Sequence, residues 1–577
     1  MWTKREECKS IISEVWESGV DLNTPNSIAI GLKQCADKLT RWNKTTFGQV
    51  PRKIQNKRKA LYGMVLRDRD GSLGREINKL RKEINDLLDS EEILWQQRAK
   101  VQWLTLGDCN TKFFHSKALE RRNKNTINRI QDENGVWCET EENIAEVALN
   151  YFERLYATSQ PSNMMEITDT IQSKVTLKMN HYLINEFTKE EVELALKQMH
   201  PAKAPGPNGM LAIFFQKYWD IVGSDISSMI LNALNSNMSL AEINKTNITL
   251  IPKTKCSSRM SEFRPISLCN VIYKLVSKVL ANRLKKILPH IIFDNQSTFL
   301  SERLIFDNVF VAFELMHYLD HKKEGKDRFM AVKLDMSNVY DRVEWIFTEK
   351  VMERMGFHEK WISVIMKCIS TVSYSILING VAYGCIKPTR GIRQGDPLSP
   401  YPFLLCVEGL SSMISQAARS QMLSSILICR GCPIVTHLLF ADDSLLFCKV
   451  SPQECQKLTK ILKLYEDASG QKINVEKSLI FFSHNTPQQL REEVLNILGS
   501  MQGSRHNKYL RLPTFIRKSK NEVFAEIKER VRKKLVGCKE KLLAMGGREI
   551  LIKAVAQAVP TYTVSCFQLP KGLCEDL

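Results

Sequence analysis

The sequence predicts a mixed α+β fold whose middle alternates strands with helices and whose two ends are helical and basic. Three observations carry this expectation. Apolar residues recur at helical spacing in REINKLRKEINDLLDSEEILWQQ, at Ile77, Leu80, Ile84, Leu87, Leu88 and Leu94. Short strand-like runs such as NITLIPK and MAVKLDM alternate with longer helical segments after the Pro/Gly-rich stretch PAKAPGPNG at 201–209. Helical, basic sequence returns after residue 520.

Taken in order, residues 1–130 read as helices broken at RDRDGS (67–72), with a turn or linker at WNKTTFGQVPRK (42–53). YKLVSKVLANRLKKIL reads as a basic amphipathic helix. YSILINGVAYGCI reads as a hairpin turning at Asn379-Gly380, because both positions tolerate the left-handed backbone such a turn needs. No internal repeat or long low-complexity tract interrupts the 577 residues.

The chain carries 82 Lys+Arg against 63 Asp+Glu, a net charge of +19. Residues 1–130 hold 26 basic and 16 acidic side chains and residues 514–577 hold 13 and 7, so most of the excess sits at the two ends. Residues 41–66 contain seven bases (Arg41, Lys44, Arg52, Lys53, Lys57, Arg58, Lys59) and no acid. An excess of this kind points to a polyanionic partner, most simply nucleic acid. The opening MWTKREECKS has charges where a secretory signal needs an apolar run. The best membrane candidate, YPFLLCVEGLSSMI, is too short to span and is interrupted by Glu408, so no membrane partner is expected. The 16 cysteines are therefore expected to be reduced thiols of an intracellular protein, nuclear or cytoplasmic. Cys429 and Cys432 in ICRGCPI have metal-ligand spacing, but no second pair follows; a tight Arg-Gly turn with two incidental thiols is expected there.

The chemistry starts at HLLFADDSLLF, residues 437–447, where two apolar runs flank Asp442 and Asp443. Alone, the pair reads as a solvated turn. A second acid, Asp335, closes the strand-like run of MAVKLDMSNVYDRVEW and precedes a helical-looking segment; alone, it reads as a helix cap. If the two strands are neighbours, the carboxylates converge, and several acids in one place need cations to neutralise them. Two Mg²⁺ ions held there would activate a primer 3′-hydroxyl and stabilise a leaving pyrophosphate. Between these stretches lies TRGIRQGDPLSPYPFLL, in which Gly391 and Gly395 permit close backbone approach, Arg393 and Gln394 offer donors, and Pro397 and Pro400 stiffen the entry to a helix.

Together these pieces resemble the reverse transcriptases of LINE-type (non-LTR) retrotransposons, most closely those of plant genomes. The resemblance runs in order through WLTLGDCNTKFFHSKALERRNKNTI, APGPNGMLAIFFQKYW, NITLIPK, EFRPISLCNVIYKLVSKVLANRLKKILP, NQSTFLSERLIFDNVFVAFELMH, the three stretches above, ASGQKINVEKS, KYLRLP and GGREILIKAVAQAVPTYTVSCFQLP. It implies a right-hand polymerase of fingers, palm and thumb: a basic helical pre-polymerase region at 1–130, the start of the fingers at 131–233, the reverse transcriptase domain at 234–513 and a truncated thumb at 514–577. It implies RNA-directed DNA synthesis with an RNA template, a DNA primer and dNTPs as partners, and two Mg²⁺ ions, or Mn²⁺, as cofactors. An intron maturase, another palm polymerase, or a decayed nucleic-acid-binding remnant is the alternative.

Residue by residue, the resemblance makes Asp335, Asp442 and Asp443 the metal-binding catalytic carboxylates. Tyr340 would screen the sugar 2′-position, and Lys253 and Arg264 would grip the incoming triphosphate. Gln394 and Gly395 would pack against the template–nucleotide pair, and Lys477 would protonate the leaving pyrophosphate. Four places depart from the family pattern: Asn338-Val339 for Lys-Ala, Ser301-Glu302 for Pro-Gly, Pro402 for Leu and Arg511 for Gly. Pro402 is tolerable only in a first helical turn, and Arg511 would be strained if its position needs a positive φ. Family members usually carry an endonuclease domain before this region and often an RNase H domain after it, so the chain is expected to be part of a longer polyprotein.

Overall fold

The computed structural model describes residues 5–17, 24–100, 111–236, 238–254, 256–429, 431–499, 502–503, 508–514, 520–537 and 545–576. The WLTLGD part of the first family-like stretch lies outside them.

A five-stranded sheet organises the molecule. Its strand order is Gln502–Gly503, Leu479–Phe482, Phe329–Leu334, Asp443–Lys449, His437–Phe440, antiparallel except for the first pair. Period-two alternation explains why the strands are apolar almost throughout. Phe329, Ala331, Leu445, Phe447 and Phe481 face the helix Ile305–His321 and its Leu315 and Met316. Met330, Val332, Leu334, Leu446, Cys448 and Ile480 face the helices Trp345–Met355, Pro400–Arg419 and Pro452–Ser469 through Phe347, Phe403 and Tyr465. Both faces being covered, a one-residue slip would exchange two buried surfaces, which fixes the register.

A second sheet has the order Phe263–Cys269, Lys245–Pro252, Ser373–Ile378, Val381–Ile386, two of its strands preceding Phe329–Leu334 in the chain and two following it. Ile248, Leu250, Tyr374, Ile376 and Ile378 pack on Phe152 and Tyr156 of helix Glu141–Tyr156. Its hairpin turns at Asn379 (φ 51°) and Gly380 (φ 97°), the left-handed pair expected there.

Several expectations need correction. Helix Pro25–Phe47 continues through the supposed linker, leaving a break only at Gly48-Gln49 before helix Val50–Arg67. Helix Val271–Ile291 has the expected basic amphipathic pattern, with Lys285 and Lys286 exposed, but among its fourteen buried residues is Arg283, whose guanidinium grips Glu191 at 2.7 Å and the carbonyls of Leu183 and Glu186 at 2.9 Å. After Asp335 the chain runs through turns, and a helix begins only at Trp345. The first two N-terminal helices are not an appendage: Ile12, Trp16, Leu32 and Leu39 share the large core with Val222 and Ile226, and Trp16 Nε1 donates to Asp225 at 2.7 Å. Phe113 and Phe114 meet Leu551 and Val555, so the two basic ends of the chain touch.

The departures from the family pattern fall where sterics matter. Pro402 sits in the first turn of helix Pro400–Arg419 and is buried, as its missing N–H allows. Leu510 (φ 48°) and Arg511 (φ 65°) form the two-residue turn between the paired residues Tyr509 and Leu512, and Glu302 has φ 71°. A two-residue turn with positive φ at both positions favours Asn-Gly, so Leu-Arg strains it. Arg511→Gly is expected to stabilise the fold by about 0.5–1 kcal/mol, read as a higher urea midpoint at unchanged m-value; an unchanged or lower midpoint would remove the strain argument.

Candidate active site

The acids come together by register. Leu334 pairs with Ser444, so the next step along the two antiparallel strands sets Asp335 opposite Asp443. The strands His437–Phe440 and Asp443–Lys449 close through Phe440 and Asp443 around Ala441 and Asp442, and Ala441 has φ 54°, an uncommon conformation for alanine. The turn thus presents Asp442 exposed at the sheet end, with Asp443 and Asp335 half-buried beside it. Burial, and the neighbouring carboxylate of Asp442, push the Asp335 carboxyl above its ordinary range, although Lys477 and Lys333 oppose this. Asp443 is raised by burial too, with Lys333 (3.9 Å away) lowering it and Asp442 and Asp335 raising it.

Asp335 is anchored from the other side by the segment that carries Lys477. Its N–H donates to Ser478 Oγ at 3.1 Å, its carbonyl accepts from Asn474 N at 2.8 Å, and Ser337 N donates to Lys472 O at 2.8 Å. Lys253 lies just past the strand Lys245–Pro252, and Arg264 pairs with Ile251 on the adjacent strand. Partial burial lowers the Lys253 ammonium, helped by Lys477 and Arg264, while Asp341 and Asp335 raise it. Its Nζ donates to Ser261 O at 2.9 Å. Three cations and the acids therefore share one electrostatic neighbourhood built from both sheets.

Tyr340 feels Asp442 and stacks on Phe403, with ring centroids 5.3 Å apart at 28°. The loop 389–395 docks under it. Ile392 N donates to Tyr340 O and Gly391 N to Val343 O, both at 2.8 Å, and Trp345 Nε1 donates to Gly391 O at 2.7 Å. A Cβ on Gly391 (φ 91°) would lie 2.7 Å from Asp341 O, so the expected close approach is real there. At Gly395 a Cβ would sit 3.6 Å from Ser267 O, an ordinary contact; its φ of 107° is what demands glycine. Gln394 is held by Ser267 N, which donates to its carbonyl at 2.9 Å, and its Nε2 donates to Asp341 Oδ2 at 3.0 Å. Arg393, expected to offer donors, is turned inward. It pairs with Asp396 at 2.9 Å, donates to Asn244 Oδ1 and Cys368 O, and lies 3.8 Å over the Tyr273 ring. Both partners of that pair are buried, and losing one strands a charge at about 3–5 kcal/mol.

Sequence reasoning left Asp341, Glu344 and the lysines of one cavity without roles. Asp341 is fully enclosed and burial pushes its carboxyl up to about 7, against the pull of Lys253, Gln394 and Tyr156. Glu344, also buried, accepts from Thr158 Oγ1 (2.7 Å), Ser159 N (2.8 Å) and Arg390 Nη1 (3.3 Å), tying the 156–159 segment to the site. A cavity of about 520 Å³ adjoins Tyr340, Gln394 and Gly395 and is edged by Lys203, Lys274 and Lys278. Burial lowers the Lys274 and Lys278 ammoniums, so a bound anion would be matched by poorly hydrated cations. The spacing of two lysines four residues apart on YKLVSKVL was the available signal.

Among the described residues no group of three His, Cys, Asp or Glu side chains stands ready-made as a metal cage. The donor set nevertheless fits a hard cation: Asp335, Asp442 and Asp443 offer only oxygens, and their mutual repulsion would be relieved by one. Mg²⁺ is commonly held by one or two carboxylates, with substrate phosphates completing its shell.

One sheet end thus gathers paired acids, neighbouring cations and a stacked aromatic pair. Residues 251–510 match the family model described as reverse transcriptase (RNA-dependent DNA polymerase), and this part of the chain belongs to that family. Among relatives, the chain is 26% identical over 388 residues to the 149 kDa protein of transposon TX1 from Xenopus laevis, covering 66% of this chain and 28% of that protein. It is 24% identical over 346 residues to the retrovirus-related Pol polyprotein of the type-2 retrotransposable element R2DM from Drosophila melanogaster, covering 60% of this chain and 30% of that one. A mitochondrial protein of Arabidopsis thaliana is 48% identical over 68 residues, 12% of this chain and 56% of its own length. The domain is thus of the non-LTR retrotransposon kind, and the chain spans less than a third of the length of the two transposon proteins.

Because Asp341 holds its proton more tightly when folded than when unfolded, its contribution to stability falls as pH rises from about 4 to about 7. Asp341→Asn removes that fall. Relative to the unaltered chain, the variant should gain at least about 1 kcal/mol between pH 5 and pH 8 in urea unfolding; equal gaps at both pH values would contradict the assignment.

Proposed function

We propose that the chain is the reverse transcriptase segment of a non-LTR retrotransposon polyprotein, extending a primer 3′-hydroxyl with deoxynucleotides on an RNA template. The observation that carries this reading is the meeting of Asp335 and Asp442–Asp443, from strands paired in one sheet, with Lys253, Arg264 and Lys477 around one end of that sheet. Asp335 and Asp442 are the main metal ligands and Asp443 supports them. Divalent ions held there, Mg²⁺ or Mn²⁺, supply charge stabilisation and a more acidic primer hydroxyl.

The chain's own groups do the rest. Lys253 and Arg264 bind the triphosphate, Arg264 offering a fork that matches phosphate oxygens. Lys477, next to Asp335, gives its proton to the departing pyrophosphate. Tyr340, stiffened by Phe403, occupies the volume a ribose 2′-hydroxyl would need. Gln394 and Gly395 back the template–nucleotide pair, and Lys203, Lys274 and Lys278 line a path for template phosphates. In right-hand terms the five-stranded sheet is the palm (within the 234–513 domain), the four-stranded sheet belongs to the fingers begun at 131–233, and 514–577 contributes the thumb. The basic region 1–130 and the thumb hold the nucleic-acid backbone.

The test is primer extension on poly(rA)/oligo(dT) with dTTP and Mg²⁺. Asp442→Ala should lose at least about a thousandfold in rate while primer–template binding persists. Extension by neither protein, with binding intact, would overturn the catalytic reading. Tyr340→Ala should raise ribonucleotide use relative to deoxynucleotide use by roughly tenfold or more; unchanged sugar selectivity would remove Tyr340 from that role. Primer–template affinity should fall by a factor on the order of 10³ between 50 and 200 mM salt.

A further inference from the structure

The polymerase reading leaves two thiols unused. Ile426 and Val435 form a bridge closed by N–H···O bonds of 3.2 and 3.3 Å in opposite directions, and Cys429 and Cys432 lie in the chain between them. Two residues after Val435 the chain enters strand His437–Phe440 and then the acid turn. Within the bridged stretch, Cys432 N donates to Cys429 O at 3.2 Å, and Gly431 has φ 88°. Arg430 of the expected Arg-Gly turn lies outside the described residues, and the thiols that flank it are not incidental to one another: the two sulfurs lie 2.9 Å apart.

The geometry narrows the chemistry. Cys429 is exposed and Cys432 half-buried, so a reagent in solution reaches them. No third His, Cys, Asp or Glu joins them among the described residues, which leaves them short of the four ligands of a structural zinc site. A disulfide needs a sulfur separation of about 2.05 Å, a closure of under about 1 Å from the present contact. The contact is a thiol–thiol hydrogen bond in which either sulfur could be the donor.

We propose that Cys429 and Cys432 form a redox-active dithiol that reacts with small-molecule disulfides of the glutathione type to close an intrachain disulfide across the turn. One thiolate attacks a sulfur of the reagent disulfide, forming a mixed disulfide and releasing one thiol. The second protein thiolate then attacks the protein sulfur of that mixed disulfide and expels the other. The dithiol is oxidised by two electrons, the reagent disulfide is reduced to two thiols, and the two protons go to them. The ring so formed braces the loop that feeds the acid hairpin.

Arg430 lies between the two cysteines, which gives a direct readout on the full-length protein. After treatment with oxidised glutathione and alkylation of remaining thiols, trypsin cleavage after Arg430 should yield two peptides that stay joined until a reductant is added. Half-conversion should need roughly tenfold less oxidised glutathione than glutathionylation of the exposed Cys256, Cys385 and Cys574, because the second step is intramolecular. Cys432→Ser should abolish the joined pair and leave Cys429 carrying glutathione. Peptides that separate without reductant, or that each carry glutathione in the unaltered protein, would overturn the proposal. The measurement is independent of nucleotide incorporation.

Discussion

The antiparallel pairing of Phe329–Leu334 with Asp443–Lys449 is the contact from which the site follows. It is fixed by burial on both faces, and it sets Asp335 opposite Asp443 without any contribution from the acids themselves, which repel one another. The apolar side chains of these strands therefore stabilise an arrangement that the charged groups oppose. The same logic reaches the turn, where Ala441 accepts an unfavourable φ and the flanking Leu438, Leu439, Leu445 and Leu446 hold it there.

Around this pair the remaining groups arrive by backbone docking more than by side-chain chemistry. Lys477 is carried in by a segment whose main chain bonds to Asp335 and Ser337. Gln394 is fixed by Ser267 of the second sheet, and Tyr340 by Ile392. Asp341 then links the two docking events, since Gln394 bonds to its side chain and Gly391 crowds its carbonyl. A buried acid there couples the loop 389–395 to the segment after the central strand.

Much of this was legible in the sequence because it rests on local pattern. The strands, the Asn379-Gly380 turn, the basic helical ends and the acid hairpin all follow from periodicity and turn chemistry. What escaped has a common physical cause: a side chain's role changes when a distant segment covers it. Arg393 looks like a free donor until Asn244, Cys368 and Tyr273 enclose it. Arg283 looks like one more base of an amphipathic helix until segments around 183–191 bury it. Asp341 looks like any acid after a tyrosine until Tyr156 and Gln394 close over it. At Leu510-Arg511 the sequence flagged Arg511, but only the paired positive φ values reveal a full hairpin turn made from two ill-suited residues.

The contact between Phe113–Phe114 and Leu551–Val555, with the first two helices sealed into the main core, has a consequence for how the molecule can be divided. The family-matching span 251–510 does not close its core by itself. Ile12, Leu32, Leu183, Phe215 and Ile226 lie outside that span yet fill the interior it needs. Excising that span would expose the wall it shares with the preceding chain.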